Sequence, residues 1–220
     1  MMQHIFGVIY MTNKERAKLA MDAMDKEYPE AACSLKSEDP LQLLIATRLS
    51  AQCTDARVNL VTPVLFSKYK TVEDFASADI DDVGEIIKSC GLYKTKSRDI
   101  VMMARMILSD FGGKVPDNMD DLLKLPGIGR KTANLILGDV FGQPSVVTDT
   151  HLIRITNRLG LVDTKDPYKV EMKLRKLLDL SRSGTFCHQI VWHGRKVCTA
   201  RTPKCGECCM ASFCKFATGK

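Results

Sequence analysis

Leu125-Pro-Gly-Ile-Gly-Arg-Lys131 sits between two stretches of helical apolar spacing, Asn118 to Lys124 before it and Arg130 to Phe141 after it. Gly127 and Gly129 lack a Cβ, so the chain can turn tightly and bring bare backbone N–H groups against a ligand. The second helix opens near Arg130, where unpaired N–H groups and the positive end of the dipole favour an anion. Helix, Pro-Gly-x-Gly turn and second helix make a phosphate clamp, which positions nucleic acid without reading its bases. On glycine and proline alone, the stretch also suits an ordinary connector with a glycine cap.

The rest of the chain continues the helical pattern. Pro40 opens a run in which Leu41, Leu44, Ile45 and Leu49 form an i, i+3, i+4, i+8 stripe. Helical spacing also covers Met11 to Tyr28, Thr54 to Tyr69, Asp81 to Cys90, Ser97 to Phe111, Thr150 to Leu159, Pro167 to Leu180 and Phe186 to Lys196. Breaks fall at Thr62-Pro63, Gly91, Gly112-Gly113 and Pro116. Val146-Val147 is the only β-like run after the N-terminus, and no repeat or low-complexity tract occurs. The pattern predicts an all-α protein.

Composition excludes several classes. At 220 residues, 45% hydrophobic and 26% charged, the chain can bury a core without disulfides and is not disordered. No apolar stretch reaches the roughly 18 residues of a membrane span. The formal net charge is +6, which permits a nucleic-acid partner without demanding one. From His193 onward six Lys and Arg face the single Glu207, so most of the excess lies in the last segment, whereas Glu73 to Glu85 is acidic. The first ten residues hold no Lys or Arg, and their Ile5 to Tyr10 run is too short for a signal core. They read as an extension upstream of a start at Met11.

Five of the nine cysteines fall between Cys198 and Cys214, which suggests a metal in a reducing compartment rather than a disulfide scaffold. Cys198-x6-Cys205-x2-Cys208-x5-Cys214 supplies four thiolates, the donor set of a [4Fe–4S] cluster or of an all-cysteine zinc site. Spacing does not choose between them. Cys209 could replace its neighbour as a ligand or remain a free thiol.

Two further residues suit chemistry. Lys131 falls in the first turn of its helix, where the positive helix end disfavours an ammonium and partial burial would disfavour it further. A lysine so placed can attack an electrophilic sugar carbon, although an isolated lysine after a glycine turn more often touches solvent or phosphate. Asp149, 18 residues on, precedes an apolar helical run and suits an N-cap. A carboxylate there could also stabilise oxocarbenium-like charge and move protons. His151 reads as a packing or capping residue.

Leu125-Pro-Gly-Ile-Gly-Arg-Lys-Thr-Ala-Asn134, followed by Val147-Thr-Asp-Thr-His151, resembles the helix-hairpin-helix/Gly-Pro-Asp superfamily of DNA glycosylases. With the cysteine spacing, it resembles the endonuclease III branch. The resemblance runs from about Cys33 to Phe216 and includes Leu49-Ser-Ala-Gln-Cys-Thr-Asp55 and Gly91-Leu-Tyr93. It implies a bifunctional DNA glycosylase and abasic-site lyase acting on oxidised pyrimidines in double-stranded DNA. Lys131 would be the Schiff-base nucleophile and Asp149 the catalytic carboxylate. Gly127, Gly129 and Arg130 would meet the DNA backbone. A [4Fe–4S] cluster would take Cys198, Cys205, Cys208 and Cys214, leaving Cys209 outside the pattern and fixing Arg201 and Lys204 for phosphate contact. Gln52 and Leu92 would fill the space left by an extruded nucleotide, where residue type alone suggests a helix cap and a core leucine.

The resemblance also implies two helical domains flanking a DNA cleft: a six-helix domain over 33–143, and a cluster domain from 1–32 plus 144–220. A monomer in the cytoplasm is expected, on the nucleoid if the cell is prokaryotic. The adenine-excising relative shares the turn, aspartate and cluster. It lacks a lysine at the Lys131 position and carries an extra C-terminal domain, while this sequence ends six residues after Cys214. A non-catalytic DNA-binding module is a third reading, and Lys131 paired with Asp149 speaks against it.

Overall fold

The computed structural model describes residues 11–219, and all regular structure in them is helical. No strand forms among the described residues. Val146 and Val147 run instead as a buried extended link, since they have no neighbouring strand to pair with. The Ile5 to Tyr10 run and the reading of the first ten residues fall outside the described residues.

The chain forms two compact units, one over Ala32–Val147 and one from the described residues up to Ala31 together with those from Thr148 on. Residues 144–147 therefore group with the first unit, not the second as expected. Local packing explains this. Gln143 N–H donates to Leu137 O at 2.9 Å, Ser145 packs against Gly138, and Val146 is fully buried.

In the first unit, helices α2 (Pro40–Ser50), α3 (Asp55–Lys68), α4 (Val72–Ser77), α5 (Ile80–Ile86), α6 (Tyr93–Asp110), the single-turn α7 (Met119–Leu122) and α8 (Arg130–Asp139) surround one core. Their starts are set by side-chain caps: Asp39, Thr54, Thr71, Asp79 and Asn118 each accept a hydrogen bond from the first helical turn. The core takes Leu44, Ile45 and Leu49 from α2, Val58 and Leu65 from α3, Phe75 from α4, and Ile100, Met103 and Ile107 from α6, all at most 1% exposed. Burying each such side chain contributes about 1.5–3 kcal/mol.

Several elements depart from the sequence reading, which marks no helix where α4 lies and starts α11 three residues late. Pro63 does not break α3, because it lies on the exposed face, where water can serve the carbonyl its missing N–H leaves unpaired. Helix α6 begins at Tyr93, a turn before Ser97, and its N-cap is Leu92 in a left-handed conformation with no side-chain cap hydrogen bond.

In the second unit, α1 (Asn13–Glu27) opens with a capping box between Thr12 and Glu15 and buries Ala17, Ala20, Met21 and Met24. It packs on α11 (Ser183–Lys196), and Arg182 ties the two by pairing with Asp22 and Asp25. Helix α9 (Thr150–Leu159) buries Leu152, Ile155, Thr156 and Leu159 and packs on α11. Helix α10 (Pro167–Leu177), two short 3-10 turns at Cys205–Glu207 and Ala211–Phe213, and α12 (Lys215–Thr218) complete the unit.

Candidate functional site

The Pro126–Gly129 turn is built from within. Ile128 N–H donates to Leu125 O at 3.1 Å and Ile128 is buried, which anchors the turn to the core. Gly127 has φ +75°, and a Cβ there would meet Arg48 Nε at 2.4 Å and Asp99 Oδ2 at 2.7 Å. Glycine at 127 is thus required by the fold itself. Gly129 is different: its φ is −104°, and nothing lies within 4 Å of a Cβ built on it. A Cβ at 129 would meet no other part of the protein, so the outer face of the turn is open there. No side chain caps α8 at Gly129, as suits a helix start kept for an anion.

Lys131 follows in the first turn of α8 and is exposed, so the partial burial expected for it is not found. Arg130 is half-buried, and its carbonyl accepts from Asn134 Nδ2 at 3.2 Å. Asp149 belongs to the second unit and is the N-cap of α9, with Oδ1 accepting from Leu152 N–H at 2.7 Å. The cap uses one carboxylate oxygen.

Gln52 and Leu92 are the only non-glycine residues among those described with positive φ, at 56° and 49°. Left-handed backbone costs an L-residue about 1–2 kcal/mol. Leu92 is 55% exposed and Gln52 is exposed too, so neither is held there by burial of its own side chain. An apolar side chain held outward on a strained turn is poorly explained as core, and the same holds for Gln52 as a cap, since Thr54 caps α3.

In the second unit the four cysteines are free of disulfides, with Cys214 buried and Cys198, Cys205 and Cys208 half-buried. Arg158 organises their loop. Its Nη1 donates to Cys198 Sγ at 3.2 Å and Thr199 O at 2.7 Å, its Nη2 to Ala200 O at 2.8 Å, and its own carbonyl lies 3.4 Å from Cys214 Sγ. Arg154, one turn earlier on α9, donates to Cys198 O at 2.9 Å. His193, 1% exposed, has Nδ1 3.2 Å from the Tyr28 hydroxyl and Nε2 3.3 Å from Cys208 Sγ. Burial pushes the Tyr28 hydroxyl up to about 12, and the His193 ring stands between that hydroxyl and Cys208 Sγ, its tautomer setting which nitrogen donates. A hydrogen bond from Cys209, with a smaller one from His193, holds the Cys208 thiol down at about 4, whereas Cys209 is pushed up by Cys208.

Among the described residues no three His, Cys, Asp or Glu side chains converge on a single metal ion. A cubane asks for thiolates spread around a cage, each on its own iron, with hydrogen-bond donors to offset its negative charge. The four free thiols with Arg158 and His193 fit that group. Arg201 is exposed, and Lys204 is exposed with Nζ 3.6 Å from Glu207 Oε2, a weak surface pair.

The family model of the HhH-GPD superfamily of base excision DNA repair proteins matches residues 45–179, and that of the iron–sulfur binding domain of endonuclease III matches residues 198–214. Endonuclease III of Synechocystis sp. is 45% identical over 207 residues, covering 94% of this chain and 94% of the relative. The chain belongs to the endonuclease III family. The Bacillus subtilis endonuclease III is 40% identical over 206 residues, covering 93% of this chain and 94% of the relative. A solved trapped covalent intermediate of endonuclease III with DNA superposes with a TM-score of 0.89 at 38% identity, covering 95% of this chain and 99% of that one. Membership in the endonuclease III family brings a [4Fe–4S] cluster with it.

Sequence reasoning missed Arg154, Arg158, His193, Tyr28 and Lys96. Only Lys96 left a signal: it shares helical spacing with the apolar Ile100, Met103 and Ile107, where a lysine is out of place.

Proposed function

We propose that this member of the endonuclease III family uses Lys131 as nucleophile and Asp149 as the carboxylate partner on the same nucleotide. The chain is a bifunctional DNA glycosylase and abasic-site lyase of base excision repair. Lys131 Nζ attacks C1′ as the glycosidic bond breaks and the base leaves with a proton. The sugar ring opens to a Schiff base, loss of a C2′ proton expels the 3′ phosphate, and water then releases the lysine. Asp149 stabilises positive charge on the sugar and moves protons during attack and elimination.

The observation that carries this reading is the position of Lys131, exposed in the first turn of α8 just past Gly129. A phosphate on the turn's bare amides sets an adjacent sugar within the lysine's reach. Gly127, Gly129, Arg130, Arg201 and Lys204 would then hold backbone, while Gln52 and Leu92 enter the stack when the nucleotide is extruded. Cys198, Cys205, Cys208 and Cys214 would hold the cluster, and so fix the loop that carries Arg201 and Lys204. Oxidised pyrimidines are the proposed bases, and chromosomal DNA in the cytoplasm or nucleoid the place of work. The two units serve as the two domains.

Borohydride trapping tests this on duplexes carrying thymine glycol, an abasic site, or adenine opposite oxidised guanine. Adducts with the first two and not the third are expected. Excision of adenine without an adduct would support the adenine-excising relative instead.

A further inference from the structure

Lys96 is a lysine with no exposure at all, on the inner face of α6. Its Nζ donates to Leu49 O at 2.8 Å and to Cys90 O at 2.8 Å. Leu49 lies in the last turn of α2, and Cys90 ends the 3-10 turn Lys88–Cys90. Both carbonyls belong to helix ends, whose acceptors have no partner further along the helix. Gln52 lies three residues beyond the first carbonyl, and Leu92 two residues beyond the second. The two strained, outward residues of this unit thus emerge from two segments that a single buried amine ties together.

We infer that Lys96 is a positioning residue for lesion extrusion, fixing the Gln52 and Leu92 loops at the spacing required to fill one vacated place in the stack. This rests on the insertion roles proposed above for Gln52 and Leu92. Packing alone does not account for a lysine here, since an apolar side chain would fill the same space without the cost of burying an amine. That burial holds Lys96 below the ordinary lysine value. The tie survives loss of the charge, because a neutral amine still has two N–H donors for the two carbonyls. A left-handed Leu92 persists only where its surroundings over-determine it, and Lys96 supplies that restraint on both sides at once. The backbone of α6 adds to it, with Lys96 N–H donating to Leu92 O at 3.0 Å.

The test uses Lys96→Met, which keeps the unbranched chain as far as Cε and loses the amine and both hydrogen bonds, in the full chain with its cluster. Excision of thymine glycol is timed in a paired duplex and in an unpaired bubble, where extrusion has no pairing to break. Slowing on the order of tenfold to a hundredfold on the paired duplex is expected, the scale of a small misplacement, with about twofold or less on the bubble. Hydrogen exchange should quicken at Ser50–Thr54 and Gly91–Lys94 and stay unchanged in α3 and α8. Equal slowing on both substrates, exchange raised throughout the unit, or no slowing at all would each overturn the inference. Gln52→Ala and Leu92→Ala, run alongside, separate the two possible failures. Substrate dependence in both loop variants but not in Lys96→Met removes Lys96 alone, and dependence in neither removes the insertion reading with it. If Lys96→Met does not accumulate, Lys96→Gln keeps an N–H group on a shorter arm that cannot serve both carbonyls, and should show the same pattern more weakly. A flat response there also overturns the inference.

Discussion

Arg48 holds Asp99 by one oxygen, Oδ2, with Nε at 2.8 Å and Nη2 at 2.6 Å, and this pair lies directly under Gly127. The side chains are only 12% and 20% exposed, so the pair is screened less than a surface bridge and braces the turn from beneath. It joins α2 and α6 to the loop that leads into α8. The turn therefore has an inner glycine that the protein itself crowds and an outer glycine that it leaves open.

That division predicts opposite outcomes for two similar substitutions. Gly127→Ala should destabilise the protein by about 1–3 kcal/mol, from left-handed strain and displacement of Arg48. Gly129→Ala should cost stability no more than the roughly 1 kcal/mol of an exchanged N-cap, while weakening duplex binding in fluorescence anisotropy. A stability loss at 129 equal to that at 127 would show that both glycines serve the fold alone.

Lys131→Ala should melt like the parent and bind duplex, yet lose strand cleavage and the borohydride adduct. Asp149→Asn should keep the cap, since asparagine caps as well as aspartate, and slow turnover by on the order of 10²-fold. Asp149→Ala should also lose about 0.5–2 kcal/mol of stability through the missing cap. Near-normal turnover in Asp149→Asn would leave Asp149 a cap only.

Serine at Cys198, Cys205, Cys208 or Cys214 should cost the brown colour and lower the iron content from about four per chain. Cys209→Ser should keep both. Tyr28→Phe retains the ring against Trp192 and His193 but frees His193 Nδ1. The hydrogen bond toward Cys208 should then weaken and the cluster potential move to a more negative value, as film voltammetry would read. An unchanged potential would mean that His193 orients without help from Tyr28.

Leu92→Gly removes the strain at φ 49° and should stabilise the protein by up to about 1 kcal/mol. Excision from a paired duplex should slow at the same time, while the bubble substrate is nearly unaffected. A destabilised Leu92→Gly, of the size seen when a core leucine is truncated (about 2–5 kcal/mol), would return Leu92 to the core.

By itself the sequence determined the helical class, the turn before Lys131, the cap at Asp149 and the four-cysteine spacing. Each of these is local: apolar periodicity, a cap and a ligand spacing are properties of residues a few positions apart. It also marked Gln52 and Leu92, though through the resemblance and not through any local rule, since nothing in residue type announces a left-handed leucine. Only the tertiary structure decided why Gly127 must be glycine, because Arg48 and Asp99 reach it from far along the chain. It alone placed Arg158 on Cys198 and His193 between Tyr28 and Cys208. It alone turned a lysine on an apolar stripe into a tie between two loops, because the carbonyls it serves lie 47 and 6 residues away. Long-range partners are chosen by packing, and packing leaves no periodic trace for a single sequence to show.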